Sequence, residues 1–237
     1  MCYDASVFKG AGMTTIYYFS GTGHSLAVAK ALAEMLTCRI VPMGFDCEKT
    51  ETAVVVFPVY CQNIPKPVKQ FFKRLEAKHV ALIATYGKIS YGNVLYEAQK
   101  ILNREIIAGA YIPMGHTFLN GDYAFDTKFL LPIVQRVKAP QKATMPKTPK
   151  NPLANIFPGL RSRIGVKITK ENRCNGCGIC DGSCPMGAIR KGQIHSKCIR
   201  CLRCVTSCPQ KALQYKNIWI LNKYLKRYHK EEYVLYL

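Results

Sequence analysis

The sequence has no cysteine between residues 62 and 173, a single tryptophan, and only four acids in residues 136–237. The cysteine gap divides the twelve cysteines into a scattered four, Cys2, Cys38, Cys47 and Cys61, and a crowded eight within residues 174–208. Crowding of that kind argues against a disulfide ladder and for thiols held as metal ligands in a reducing compartment. A long apolar run is also missing. The longest stretch without a charge, Gly10 to Ala29, is full of Gly, Ser and Thr, so no transmembrane helix is expected. Residues 1–12 contain Asp4 and no apolar core, which disfavours a secretory signal, and the expected location is cytoplasmic. Those twelve residues read as a disordered extension, with Met13, just before the first strand signal, as an alternative start.

What is abundant is positive charge. The 237 residues carry 34 Lys and Arg against 14 Asp and Glu, a formal net charge of +20. Residues 1–135 hold 13 basic and 10 acidic residues, whereas residues 136–237 hold 21 and 4, so the excess is concentrated in the second part. Such an excess calls for an acidic partner, an anionic membrane face, nucleic acid, or bound anions that the count omits. No DNA-reading helix, RNA-binding sheet signature or zinc-finger spacing is present, so nucleic acid is not expected.

Apolar runs lie at Thr14 to Phe19, Thr52 to Phe57, Val80 to Thr85 and Ile106 to Ile112, with a shorter one at Cys38 to Met43. None alternates with polar residues, which is the pattern of strands buried on both faces of a parallel sheet. Between them, residues 24–36, 67–77 and 92–104 repeat their apolar positions at helical spacing. The fold class expected is α/β: a five-stranded doubly wound parallel sheet over residues 13–135. Five prolines between 140 and 158, with ten basic residues and one acid in 136–173, mark a basic connecting segment, bounded as 136–165, that Leu153, Ile156, Phe157 and Leu160 are placed to anchor. A small α+β domain follows at 166–217, then an amphipathic helix and tail at 218–237, with Ile218, Leu221, Leu225 and Tyr228 as its apolar stripe. Packing against the protein is the commoner fate of such a stripe, with peripheral membrane contact as the alternative.

The 166–217 region contains a duplication. CNGCGICDGSCPMGAI (174–189) and CIRCLRCVTSCPQKAL (198–213) align without gaps and share seven of sixteen positions, all four cysteines and the proline among them. Each copy is a CxxCxxCxxxCP run, the spacing of bacterial two-cluster iron–sulfur proteins, in which the fourth cysteine ligates the other cluster. Cluster one then falls to Cys174, Cys177, Cys180 and Cys208, and cluster two to Cys198, Cys201, Cys204 and Cys184. A zinc site would use only four of these thiols.

A second motif lies at the first strand-to-helix turn. Ser20-Gly21-Thr22-Gly23-His24-Ser25 offers glycines, hydroxyls and a helix N-terminus to a phosphate, and lacks both GxGxxG and GxxxxGK, so a mononucleotide phosphate is the better expectation. Pro58 to Asn63 and Thr85 to Gly92 end the next two long strands, on the carboxyl edge where open α/β sheets bind ligands.

With SGTGHS, PVYCQN and TYGKISYG in this order and two CxxCxxCxxxCP runs behind them, the chain resembles the flavodoxin/ferredoxin fusion proteins of anaerobic prokaryotes over residues 13 to about 215. The resemblance implies FMN, with its phosphate at Ser20, Thr22, Gly23, His24 and Ser25 and its ring against Pro58, Val59, Tyr60, Thr85, Tyr86, Gly87 and Tyr91. It also implies two [4Fe-4S] clusters. The chain departs from the family pattern at His24, where Asn is usual, and at Cys61-Gln62-Asn63, where an aromatic-glycine pair is common. The function expected is electron transfer, relaying single electrons between the clusters and FMN, with an acidic redox protein as partner. The alternative is an FMN-dependent and iron–sulfur-dependent reductase of a small-molecule substrate, for which His116 or Tyr123 in the loop 114–126 would be proton donors; no catalytic residue is otherwise assignable. Cys61 is a further redox candidate, against the commoner role of a small apolar residue.

Overall fold

The computed structural model describes residues 14–44, 48–119, 124–227 and 230–237. The expected N-terminal extension, Cys2, Cys47, Tyr123 and Tyr228 lie outside them. Five parallel strands, β1 (Thr14–Tyr18), β2 (Ile40–Pro42), β3 (Thr50–Pro58), β4 (Ala77–Tyr86) and β5 (Glu105–Pro113), form a sheet in the order β5-β4-β3-β1-β2. This is the flavodoxin-like doubly wound order. Strands β3, β4 and β5 are buried almost end to end, as their unbroken apolar runs require.

Helices cover both faces. On one, α1 (His24–Leu36) and α4 (Leu131–Lys138) bring Val28, Leu32, Ile133 and Val137 against Ile16, Val54, Val56, Ile83 and Ile107. On the other, α2 (Lys66–Phe72) and α3 (Val94–Leu102) bring Phe71, Phe72 and Leu95 against Tyr17, Val55, Phe57 and Leu82. Helix α4 was not expected from the sequence: its eight residues straddle the point at which the basic composition sets in.

The connecting segment is a strap laid on the α2/α3 face. The Ala143 amide donates to the Ile106 carbonyl at 2.7 Å, and Met145, buried, fills the space over Gly109, where a Cβ would sit 2.1 Å from its sulfur. Lys150 Nζ donates to Glu97 Oε1 (2.6 Å) and Asn63 Oδ1 (2.9 Å), an ion pair with the lysine side chain only 9% exposed. The anchors are therefore not those expected. Leu160, on the short helix α5 (Pro158–Gly165), and Leu153, Ile156 and Phe157, in the turns before it, remain exposed, Phe157 to 71%, because the strap is already fixed to the sheet side by Ala143, Met145 and Lys150.

The second module is small. β6 (Val166–Lys170) pairs antiparallel with β9 (Leu213–Asn217), and between them lie α6 (Ile179–Ser183), the two-residue strands β7 (Ile189–Arg190) and β8 (Gln193–Ile194), and α7 (Arg203–Thr206). Helix α8 (Trp219–Arg227) follows and turns Leu221 and Leu225 inward, Leu221 against Gly165, while Trp219 stays exposed. The chain then returns to the first module. β10 (Val234–Tyr236) adds to the main sheet antiparallel to β5, with Leu235 opposite Ala110, making it six-stranded rather than five-stranded. No described helix is long and apolar enough to cross a membrane.

Candidate functional site

The eight clustered thiols gather into two recesses. One is lined by Cys174, Cys177, Cys180 and Cys208; the other by Cys184, Cys198, Cys201 and Cys204. Each set takes its odd member from the other CxxCxxCxxxCP run. This follows from the local backbone: Gly176 (φ 74°) and Gly178 (φ 75°) bend the first loop round its recess, Arg200 (φ 56°) and Leu202 (φ 59°) bend the second, and the short helices α6 and α7 then carry Cys184 and Cys208 across. Amides of Ala188, Arg200 and Ala212 point at the sulfurs of Cys184 (3.2 Å), Cys198 (3.4 Å) and Cys208 (3.3 Å), which favours thiolate. Burial pushes the Cys201 thiol up to about 11 and the Cys204 thiol up to about 12, with neighbouring thiols adding to the latter. Four anions in one such recess therefore need the positive charge of iron to form. Among the described residues no three Cys, His, Asp or Glu side chains converge on a point that one metal ion could occupy. Four thiols to a recess and amides aimed at sulfur fit an iron–sulfur cube.

The second site lies in a recess at the carboxyl edge of the main sheet. Ser20, Thr22, His24 and Ser25 line one wall, Pro58, Val59 and Tyr60 the second, and Thr85, Tyr86 and Gly87 the third. Met114, Gly115 and Thr117, in the loop after β5, complete it. The phosphate-type loop is held by its own bonds: the Gly23 amide donates to Ser20 Oγ (3.1 Å), Thr22 Oγ1 lies 3.0 Å from His24 Nδ1, and the Ser25 and Thr85 hydroxyls meet at 2.8 Å. Gly23 has φ 102°, a conformation that glycine accepts freely, and α1 begins immediately after it. Helix N-terminus, glycine turn, hydroxyls and a lining without a carboxylate suit a phosphate-bearing ligand, and FMN fits that donor set.

Two predicted residues are placed elsewhere. Gly23 shapes the loop without lining the recess, and Tyr91 stacks on Tyr111 at 4.0 Å, edge-on to Tyr86. Cys61 is exposed, its sulfur 3.5 Å from Ser162 Oγ, and does not line the recess. His116 packs its ring over Gly87, with Nδ1 accepting from the Phe118 amide at 3.1 Å; burial, and secondarily His24, push its pKa down to about 4. Burial also lowers the His24 pKa, which favours its neutral ring.

The two sites touch. The Arg203 guanidinium, on α7 between the ligand positions Cys201 and Cys204, donates to the Ser20 carbonyl from Nε (2.9 Å) and Nη2 (2.7 Å) and lies 5.0 Å from the Phe19 ring centroid. The Thr206 hydroxyl is 3.4 Å from the Gly21 carbonyl. Tyr60 is packed beside Cys201, and burial pushes its hydroxyl pKa well above the ordinary value. Arg203 and Thr206 were not singled out from the sequence, and Gly21 only as part of the phosphate-type motif; Arg203 is one of many basic residues, and nothing in its spacing marks it.

Residues 193–214 match the family described as 4Fe-4S binding domain. Among curated proteins, the chain is 41% identical over 56 residues to one subunit of an ion-translocating oxidoreductase complex of Methanosarcina acetivorans and 40% identical over 57 residues to an uncharacterised ferredoxin of Methanocaldococcus jannaschii. Those matches cover 22% and 21% of this chain and 21% and 38% of the relatives, so the chain spans well under half of either. Among solved structures, a flavoprotein of Bacteroides eggerthii covers 53% of this chain and 98% of its own (15% identity, TM-score 0.39). A flavodoxin from the domain Archaea covers 39% and 76% (16% identity, TM-score 0.34).

The strand order makes the first module a flavodoxin-like α/β sheet, and the second module carries the match to the 4Fe-4S binding domain. Binding of a [4Fe-4S] cluster is the chemistry for which its second module is built.

Proposed function

We propose that this protein is an electron carrier that holds two [4Fe-4S] clusters and one FMN and relays single electrons between them. When bound, FMN supplies a centre that stores electron pairs and exchanges them singly, and each cluster supplies a one-electron step. The observation that carries the reading is the contact of the two sites: Cys201 belongs to one thiol recess, and its carbonyl faces Gly21 of the phosphate-type loop.

The chain's own residues impose an order. Cys184, Cys198, Cys201 and Cys204 hold the cluster nearer the flavin, and Cys201 and Cys204 are buried. Cys174, Cys177, Cys180 and Cys208 hold the other, and Cys177 is exposed. That outer recess is the natural port for a protein partner. Lys191 lines it and the second part of the chain is strongly basic, so an acidic redox protein is the complementary partner. Thiolate ligation requires a reducing compartment, which supports a cytoplasmic location.

A reductase of small molecules at the same recess would need a proton donor in it. Of the donors expected from the sequence, His116 turns onto Gly87 rather than into the recess and Tyr123 lies outside the described residues, whereas the contact between the thiol recess and the phosphate-type loop serves a carrier directly.

Anaerobic reconstitution of the full chain tests the proposal. About eight iron, eight acid-labile sulfide and one FMN per chain are expected. Zinc in place of iron, no labile sulfide and no yellow chromophore would overturn it.

A further inference from the structure

The phosphate-type loop is braced from outside by the iron–sulfur module. The Ser20 carbonyl accepts both Arg203 donors, and the Gly21 carbonyl faces the Thr206 hydroxyl, so both carbonyls point toward α7. In a planar trans peptide the C=O of one residue and the N–H of the next point in opposite directions. The N–H groups of Gly21 and Thr22 are therefore turned away from the iron–sulfur module. Two N–H groups turned to the recess side are donors for an anion. The Gly23 amide is taken by Ser20 Oγ, which fixes the loop, and the N-terminus of α1 follows immediately after it. A lone Ser20-Gly21-Thr22 segment could flip either peptide at little cost; a guanidinium fork on the first carbonyl opposes the flip.

We propose that Arg203 is a positioning residue for the flavin phosphate: by holding the Ser20 and Gly21 peptides in one orientation, it makes the iron–sulfur module part of the FMN phosphate site. The inference rests on the FMN reading above. It accounts for a feature that neither module explains alone, an arginine between two cluster-ligand positions whose Nε and Nη2 both donate to the other module. Phe19 beneath the guanidinium and the close packing of Cys201 on Gly21 flank this part-buried bond.

Riboflavin separates this role from general support of the fold, because it has the flavin ring and lacks the phosphate. Dissociation constants for FMN and riboflavin are measured by flavin fluorescence on the cluster-loaded full chain, for the wild type, Arg203→Ala and Arg203→Lys. The preference for FMN over riboflavin is expected to fall roughly tenfold in Arg203→Ala, the value of a charge-assisted hydrogen bond. Arg203→Lys, which keeps the charge and a single donor, should fall by less. Should Arg203→Ala fail to fold, the lysine variant and Thr206→Val carry the comparison, each with a smaller loss of preference. An unchanged preference, with both flavins bound as before or both weakened equally, overturns the inference while leaving the FMN reading intact. A wild-type chain that binds neither flavin overturns the FMN reading and this inference with it.

Discussion

The Cys201 carbonyl lies so close to Gly21 that a Cβ on the glycine would sit 2.1 Å from it, with the Tyr60 hydroxyl only 2.7 Å away. No torsional argument is needed for this glycine: the two modules meet there at backbone contact, and only a hydrogen fits between them. Gly21→Ala must push the Cys201 loop away or shift the phosphate-type loop. A cost of about 1–3 kcal/mol is expected, as for other overpacked sites. It reads out as a lowered urea midpoint in the full chain, and an unchanged midpoint would contradict the packing.

The thiol grouping yields a sharper test, because the structure pairs each fourth cysteine with the other run. Cys184→Ser should abolish the same EPR signal as Cys198→Ser, and Cys208→Ser the same signal as Cys174→Ser, each variant retaining about four iron. If Cys184→Ser instead matched Cys174→Ser, the interleaved arrangement would be wrong.

The C-terminal return strand should stabilise the first module. The Tyr86 hydroxyl lies 2.9 and 2.8 Å from the Lys230 and Glu232 carbonyls and 3.0 Å from the Glu232 amide, while β10 covers the β5 edge. Tyr86→Phe leaves these part-buried backbone groups short of a partner, at a cost of about 1 kcal/mol. Hydrogen exchange at the amides of residues 109–111 should speed up in the same variant. Unaltered protection there would show that β10 docks independently of Tyr86.

His116 predicts a pH dependence. Its pKa falls from 6.5 to about 4 in the fold, so the folded state favours the neutral ring. The associated stability is complete above about pH 6.5 and is lost as the unfolded chain takes up its proton between 6.5 and 4. From pH 7.5 to 5.5 the loss is roughly 1 kcal/mol. Urea midpoints at these two pH values should differ less for His116→Gln than for the wild type; equal differences would contradict the burial of the ring.

The architecture was legible where composition repeats a physical constraint. Unbroken apolar runs could only be strands covered on both faces, and β1, β3, β4 and β5 lie where those runs are, within a few residues. The paired cysteine runs were legible because a cube needs thiols at that spacing. Other features were not. β10 is three residues long and follows two glutamates, too short for any periodicity to show. The strap is anchored by Ala143, Met145 and Lys150 rather than by its larger apolar residues, because the free space on the sheet lies over Gly109, beside an acid at Glu97. Arg203 acts through a carbonyl 183 residues away, and nothing in one sequence reveals such a partner.

Whether the two modules act as one redox unit is measured directly by flash photolysis of the reconstituted chain. After photoreduction of a cluster, flavin reduction should follow with a first-order rate that does not change with protein concentration. A rate proportional to protein concentration would place the transfer between molecules and contradict the fixed contact at Gly21 and Arg203.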